Sequence, residues 1–360
     1  MKAWEKNIRT VDPYVPGEQP VLDDMIKLNT NENPYPPAPG VKEIIEQMSV
    51  KDIRLYPDAN CSSLVNVLSA YYQLEKDQVF VGVGSDDVLA TAFLTFFNSK
   101  KPILFPDITY AFYDVWAKLY HIPYERPALD ENFRIRREDY YKENGGVVIA
   151  NPNAPTSICE GLEFIEDILI HNQDVIVIVD EAYVDFGGVS ARPLLRKYDN
   201  LLITQTFSKS RSMAGARIGY CMGNKRLIQA MNEVKYSINS YTMNQWALQI
   251  GVEAVKDDVY FKEGLVKIMR TRQTTANALR ELGFDVMDSK TNFLFVTHKH
   301  LDCKQLFEYL RTKHIFVRHW DTERISNYLR VSIGTENEMK AFLDETRQFV
   351  QMSQQAVSVQ

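Results

Sequence analysis

The run Val175-Ile176-Val177-Ile178-Val179-Asp180-Glu181-Ala182-Tyr183 decides how the rest of the chain is read. Five apolar, β-branched residues in a row leave no polar face, so a strand built from them must be covered on both sides. Similar runs stand at Val79–Val83, Ile103–Phe105, Val147–Ala150 and Leu201–Thr204. Between them lie helical patterns such as Asp87–Phe97, Thr109–Tyr120 and Glu163–His171. Apolar strands alternating with helices predict an α/β fold, a mostly parallel central sheet with helices on both faces.

Either side of this block the texture changes. Residues 11–40 are dense in Pro and Asn, which opposes helix and sheet alike and reads as an extended arm. Beyond about residue 245 the chain becomes helical and charged, with strand-like pieces at Asn292–Val296, Ile315–Arg318 and Tyr328–Ile333. The expected organisation is an N-terminal arm over 1–40, a large α/β domain over 41–245 and a smaller α+β domain over 246–360. No repeat or low-complexity tract interrupts it.

Composition narrows the function classes. The 360 residues carry 41 Lys+Arg against 47 Asp+Glu, a formal net charge of −6 with no basic block. That argues against nucleic acid or an anionic membrane as partner. Hydrophobic residues make up 45%, enough for a sizeable core. Cys61, Cys159, Cys221 and Cys303 stand far apart, which excludes a disulfide scaffold and the usual zinc spacing and fits a reducing compartment. The first ten residues lack the apolar stretch of a signal peptide, and no apolar run approaches the ~18 residues of a membrane span. A soluble, cytoplasmic protein is the expectation.

Open parallel sheets bind ligands at the carboxyl ends of their strands. Each of the five apolar runs is followed by polar residues there. Gly84-Ser85-Asp86-Asp87 opens a helix, where free backbone N–H groups can hold a phosphate. Tyr110 follows the second run, and Asn151-Pro152-Asn153-Ala154-Pro155 the third. Asp180 ends the fourth and needs a partner, because an unpaired buried carboxylate is costly. After the fifth come Ser208-Lys209-Ser210-Arg211 and, eight positions beyond Lys209, Arg217: an amine beside a serine and guanidinium cup. His298 and His300 have no ligand set around them, so no metal site is expected. Phe112, Tyr113 and Trp116 read as core, and Glu323 and Arg324 as solvated loop charges.

An amine, an acidic partner and a phosphate cup at one sheet edge suit pyridoxal phosphate (PLP). From about Asn29 to Arg330 the chain resembles the fold-type I PLP-dependent aminotransferases, and within them the histidinol-phosphate aminotransferases. The resemblance is carried by Thr206-Phe207-Ser208-Lys209-Ser210-Arg211-Ser212-Met213-Ala214-Gly215, by Asp180-Glu181-Ala182-Tyr183 and by Leu329-Arg330-Val331-Ser332-Ile333-Gly334-Thr335. Leu28-Asn29-Thr30-Asn31-Glu32-Asn33-Pro34 and Arg54-Leu55-Tyr56-Pro57-Asp58 add to it.

The resemblance implies that Lys209 carries PLP covalently and later shuttles a proton, while Asp180 keeps the ring nitrogen protonated. It implies that Tyr183 donates to the cofactor's phenolic oxygen and that Tyr110 stacks on the ring. Ser85, Asp86, Ser208 and Arg217 would grip the cofactor phosphate, joined by Tyr56 from the partner subunit of a homodimer. Ala154 stands where the family often has an asparagine, and Asn153 is the expected substitute. Arg330 and Arg318 would hold the substrate anion, with Tyr14 and Asn31 closing over it; Asn292 matches a family position with a structural role. The implied reaction exchanges an amino group between glutamate and imidazole acetol phosphate. An aromatic or other amino-acid aminotransferase, or a phosphothreonine decarboxylase-like lyase, are the alternatives.

Overall fold

The computed structural model describes residues 2–358. A short strand in the arm, β1 (Ile26–Lys27), precedes the central sheet. That sheet contains β2 (Val79–Gly82), β3 (Ile103–Leu104), β4 (Tyr124–Glu125), β5 (Gly146–Ala150), β6 (Val177–Asp180), β7 (Leu201–Thr206) and β8 (Gly219–Gly223). Their spatial order is β2-β8-β7-β6-β5-β3-β4, and every pair except those made by β8 is parallel. The expected α/β class and mostly parallel sheet are what the chain adopts.

Val177, Ile178 and Val179 are each 0% exposed, because helices cover both faces. Burying each of these side chains contributes about 1.5–3 kcal/mol. The strand begins two residues later than its apolar run, since Val175 and Ile176 precede the first residue paired to both neighbours, Val177. Register then sets the chemistry: Ala150 pairs with Asp180 and Asp180 with Thr204, so the ends of β5 and β6 lie level and β7 runs two residues further, to Thr206. The antiparallel β8, Gly-Tyr-Cys-Met-Gly, carries no β-branched residue and gave no strand signal.

A second sheet holds β9 (Phe284–Val286), β10 (Phe293–His298), β12 (Arg318–His319) and β13 (Tyr328–Ser332). It is antiparallel throughout, in the order β12-β13-β10-β9. The single strand expected over Ile315–Arg318 divides at Val317. Its first part, β11 (Ile315–Phe316), pairs in parallel with β1, and its second part pairs with β13. The arm is therefore tied down: Leu28 is 1% exposed in a core shared with Leu294, Val296, Leu329, Val331 and Phe342. The helix Gln245–Lys256 packs against the helices Pro39–Gln47 and Ser62–Tyr72, in the core of the central sheet.

Candidate active site

At the carboxyl ends of β5, β6 and β7 lies a cavity of about 160 Å³. Lys209, Asp180, Tyr183, Tyr110, Ser85, Asp86, Ser208 and Arg217 all line it. Residues far apart in sequence meet there because they end strands, open helices or stand in the loops that join them at the same sheet edge.

Asp180 ends β6. Its Oδ2 accepts from the Tyr113 hydroxyl at 2.8 Å and its Oδ1 from the Ala182 N–H at 3.2 Å. Burial pushes its carboxyl up to about 6, and these two hydrogen bonds oppose the rise. Among the described residues no cation pairs with it. Lys209 follows β7 by three residues. Its Nζ donates to the Thr30 carbonyl at 3.1 Å and sits 5.8 Å from the centre of the Tyr183 ring. The loop that presents Lys209 is pinned on every side. Ser210 Oγ donates to Asp185 at 2.6 Å, and Asn33 Nδ2 donates to the Lys209 and Ser210 carbonyls at 3.2 and 3.3 Å. Arg211 is buried, with its guanidinium 4.0 Å from the Phe261 ring centre and Nη1 donating to the Ala254 carbonyl.

Across the cavity, the helix Ser85–Phe96 starts at Gly84, whose φ of 84° lies in the left-handed region. The first turn of a helix leaves N–H groups without intrahelical partners, and its dipole favours an anion there. A Cβ on Gly84 would stand 2.4 Å from Arg217 Nη2, and one on Gly219 would stand 2.2 Å from the Gly84 carbonyl carbon. Only glycine at both positions lets Arg217 and β8 close on the helix start. Arg217 Nη2 donates to Asp86 Oδ2 at 3.2 Å, and Asp86 Oδ1 accepts from the Tyr110 hydroxyl at 2.7 Å. Burial first, then Asp86, raises the Tyr110 hydroxyl well above its ordinary range, so it stays a donor.

Several nominated residues stand elsewhere than expected. Asn153 is committed to its own loop: Nδ2 donates to the Ile108 carbonyl and Thr156 Oγ1, and Oδ1 accepts from Thr109. Ala154 and Pro152 line the cavity, and Asn153 does not. Asn31 does not close over the cavity. It is 1% exposed, and its Nδ2 donates to the Tyr183 hydroxyl at 2.9 Å. Tyr14 reaches back from the arm to stack on Phe112, with ring centres 4.2 Å apart, and lies 6.5 Å from the Tyr110 ring. Tyr56 is 82% exposed, stacked on Tyr241 at 4.5 Å.

Arg330 and Arg318 face each other across β13 and β12. Their guanidinium carbons lie 5.5 and 5.7 Å from the Trp320 ring centre. Arg330 also lies 5.3 Å from the ring of Phe293, which meets Tyr183 edge-on at 5.1 Å. Its Nη2 donates to the Asn29 carbonyl at 2.8 Å, while its buried Nε has no partner among the described residues. Burial lowers its pKa, but a guanidinium remains charged at any ordinary pH. Among the described residues, no carboxylate is within ion-pair distance of either arginine.

Other groups were misread or missed. Tyr113 is core, yet its hydroxyl holds Asp180; its place three residues after Tyr110, across the turn that leads into the helix Phe112–Leu119, was the available signal. Thr30 and Glu32 line the cavity from the arm. Burial, the largest single effect, pushes Glu32 up, but hydrogen bonds from Lys27 and Thr30 and the charges of Lys27 and Lys209 together hold it below its ordinary pKa. Arg324 is no free loop charge: it donates to Asp107 at 2.8 Å and to the Leu129 and Asp130 carbonyls.

The donor set fits PLP. A guanidinium and a helix start suit its phosphate, an uncompensated buried carboxylate suits a cationic ring nitrogen, and an amine suits its aldehyde.

Comparison with known proteins agrees. A family model for aminotransferase class I and II matches residues 23–345. A histidinol-phosphate aminotransferase of Lactococcus lactis subsp. cremoris (strain MG1363) is 49% identical over 348 residues, 97% of this chain and 98% of that one. One of Clostridium botulinum (strain Hall) is 47% identical over 349 residues, 97% and 99% of the two chains. The crystal structure of histidinol-phosphate aminotransferase from Sinorhizobium meliloti in complex with pyridoxal-5'-phosphate superposes with a TM-score of 0.83 at 21% identity, covering 91% of each chain. The chain belongs to the class I and II aminotransferases, which are PLP-dependent enzymes.

Proposed function

We propose that this enzyme interconverts L-histidinol phosphate plus 2-oxoglutarate with imidazole acetol phosphate plus L-glutamate. The observation that carries the reading is the Arg318–Arg330 pair, two guanidiniums side by side with no carboxylate between them. Histidinol phosphate has an amine, an imidazole and a phosphate ester but no carboxylate, whereas glutamate has two carboxylates and no phosphate. Planar guanidiniums accept both kinds of anion through paired hydrogen bonds, so one pocket serves both halves of the cycle. Near-full-length relatives at 47–49% identity bearing the histidinol-phosphate aminotransferase name support the same substrate.

Bound PLP supplies an electron sink for the reacting carbon. The rest falls to the protein. Arg217, Ser208 and the start of the helix at Ser85 and Asp86 hold the cofactor phosphate. Asp180 holds a proton on the ring nitrogen, and Tyr183 donates its hydroxyl proton to the phenolic oxygen. Lys209 Nζ would hold and move the proton at the reacting substrate carbon. Tyr110 covers the ring face, with Tyr14 behind it.

We further propose that the enzyme works in the cytoplasm as a homodimer. Support comes from four free cysteines and from an exposed apolar stretch at Val50, Ile53, Leu55 and Tyr56, which a second copy would cover. Tyr56 then reaches the neighbouring cofactor phosphate. The working division of the chain follows the two sheets, with the arm up to residue 40. The boundary between large and small domains falls near Asp257 rather than 245, because the helix Gln245–Lys256 belongs to the first core.

Parallel half-reactions with histidinol phosphate and phenylalanine, followed by the loss of the PLP absorbance, test the substrate. Faster reaction with phenylalanine at equal concentration contradicts the proposal, as does carbon dioxide release from phosphothreonine without consumption of an oxo acid.

A further inference from the structure

The Tyr183 hydroxyl has one neighbour that decides where its proton points. Asn31 sits in the left-handed region, φ 58°, at the end of the arm segment that runs beside β13. Its own hydrogen bonds leave it no freedom. The Asn31 N–H donates to Ser332 Oγ at 2.9 Å, and the Ser332 hydroxyl donates to Asn31 Oδ1 at 3.0 Å. The Asn31 carbonyl accepts from Asn292 Nδ2 at 2.9 Å. Three residues earlier, the Leu28 carbonyl accepts from the Ser332 N–H at 2.9 Å.

This arrangement settles the orientation of the amide. Ser332 Oγ already receives a backbone N–H, so its hydrogen needs an acceptor, and the one it finds among the described residues is the side-chain amide oxygen Oδ1 of Asn31. The amide NH₂ must then face Tyr183, where it donates to the phenolic oxygen at 2.9 Å. An oxygen that receives an N–H from one side gives its own proton to the other, and on Tyr183 the other side is the cavity.

We propose that Asn31 is a positioning residue, locked by Ser332, which turns the Tyr183 hydroxyl proton into the cavity. The same contact places partial positive charge at the phenol oxygen and strengthens it as a donor. Asn31 thus acts on the cofactor side of the site through Tyr183, without itself lining the cavity.

The test exploits the direction of the hydrogen bond. Asn31→Asp keeps size and shape and tolerates the left-handed backbone, but an ionised carboxylate can only accept. It would draw the Tyr183 proton out of the cavity. In the PLP-loaded protein the expected result is a rise of about one pH unit in the apparent pKa of the pH-dependent visible band. Ser332→Ala, which frees the amide to rotate, should give a smaller rise. The added charge alone would also move the band, so both variants are repeated with Tyr183→Phe. Because the effect runs through the hydroxyl, the shift should largely disappear there. A band that titrates as in the wild type in Asn31→Asp overturns the proposal, and so does a shift of undiminished size in the Tyr183→Phe background. Should Asn31→Asp fail to fold, the Ser332→Ala pair decides by the same criterion. Neither readout involves the substrate, so an enzyme preferring a different amine would show the same shifts.

Discussion

Arg318 on β12 and Arg330 on β13 are direct cross-strand partners, so two like charges share one face of an antiparallel pair. Such pairs are destabilising by themselves. Here no carboxylate offsets the repulsion among the described residues, and the buried Arg330 Nε has no partner. An anion held between them would remove both costs.

From this follows the effect of truncation. Losing a charge-assisted hydrogen bond of about 1.5–3 kcal/mol corresponds to roughly a 10- to 150-fold loss in binding. Arg330→Ala should raise KM for histidinol phosphate and for glutamate by about that range, as measured in steady-state assays. Arg330→Lys should recover little of it, because an ammonium lacks the planar fork. An unchanged KM for both substrates in Arg330→Ala would remove Arg330 from the anion pocket.

The phosphate cup makes a second prediction. Gly219→Ala sets a Cβ 2.2–2.3 Å from the Gly84 and Ser85 backbone, and Gly84→Ala sets one 2.4 Å from Arg217 Nη2 in a left-handed conformation. Backbone must give way in the first case and the guanidinium in the second. Both variants should bind PLP more weakly by at least about tenfold, with Gly219→Ala also losing about 1–3 kcal/mol of stability. Fluorescence titration with PLP and thermal melts of the PLP-free protein measure the two effects separately.

A third prediction concerns pH. Burial raises Asp180 to about 6 and, again as the largest cause, Glu181 to about 7. A carboxyl whose pKa is higher folded than unfolded binds protons more tightly in the native state. Its contribution to stability therefore falls as pH rises from the unfolded value, near 4, to the folded one. In the PLP-free protein, Asp180→Asn should raise the urea midpoint relative to wild type at pH 8, and the gain should shrink towards pH 4. PLP binding should nonetheless weaken, since the carboxylate that would face the ring nitrogen is gone. Destabilisation at pH 8 with no pH dependence would contradict this.

The proposed dimer is tested by complementation. Lys209→Ala and Tyr56→Ala are each expected to be inactive or nearly so alone. Mixed under conditions that exchange subunits, they should regain activity, because one site of the heterodimer then combines an intact Lys209 with the partner subunit's intact Tyr56. No recovery after verified exchange would place both residues in the same subunit's site.

The central sheet was legible because its strands are apolar without interruption, and the residues at their carboxyl ends could be read by position alone. Lys209, Asp180 and Tyr110 converge for that reason. What the chain concealed depended on long-range contacts. Nothing in Gly-Tyr-Cys-Met-Gly announces β8, which forms because β2 and β7 flank it. The split of Ile315–Arg318 arises from pairing with the arm, nearly 290 residues earlier in sequence. Asn153 and Asn31 had suitable chemistry but met other partners first, Thr156 and Ile108 for one and Ser332 and Tyr183 for the other. Tyr113 looked apolar in context, and only the fold shows its hydroxyl against Asp180.

The covalent role of Lys209 carries everything else and is open to direct measurement. The purified protein, loaded with PLP, is reduced with borohydride, digested and mapped by mass spectrometry. The expected result is one phosphopyridoxyl label, on the peptide containing Ser208-Lys209-Ser210, and none in Lys209→Ala. A label on another lysine, or no label on protein saturated with PLP, would contradict the assignment of this cavity as the active site.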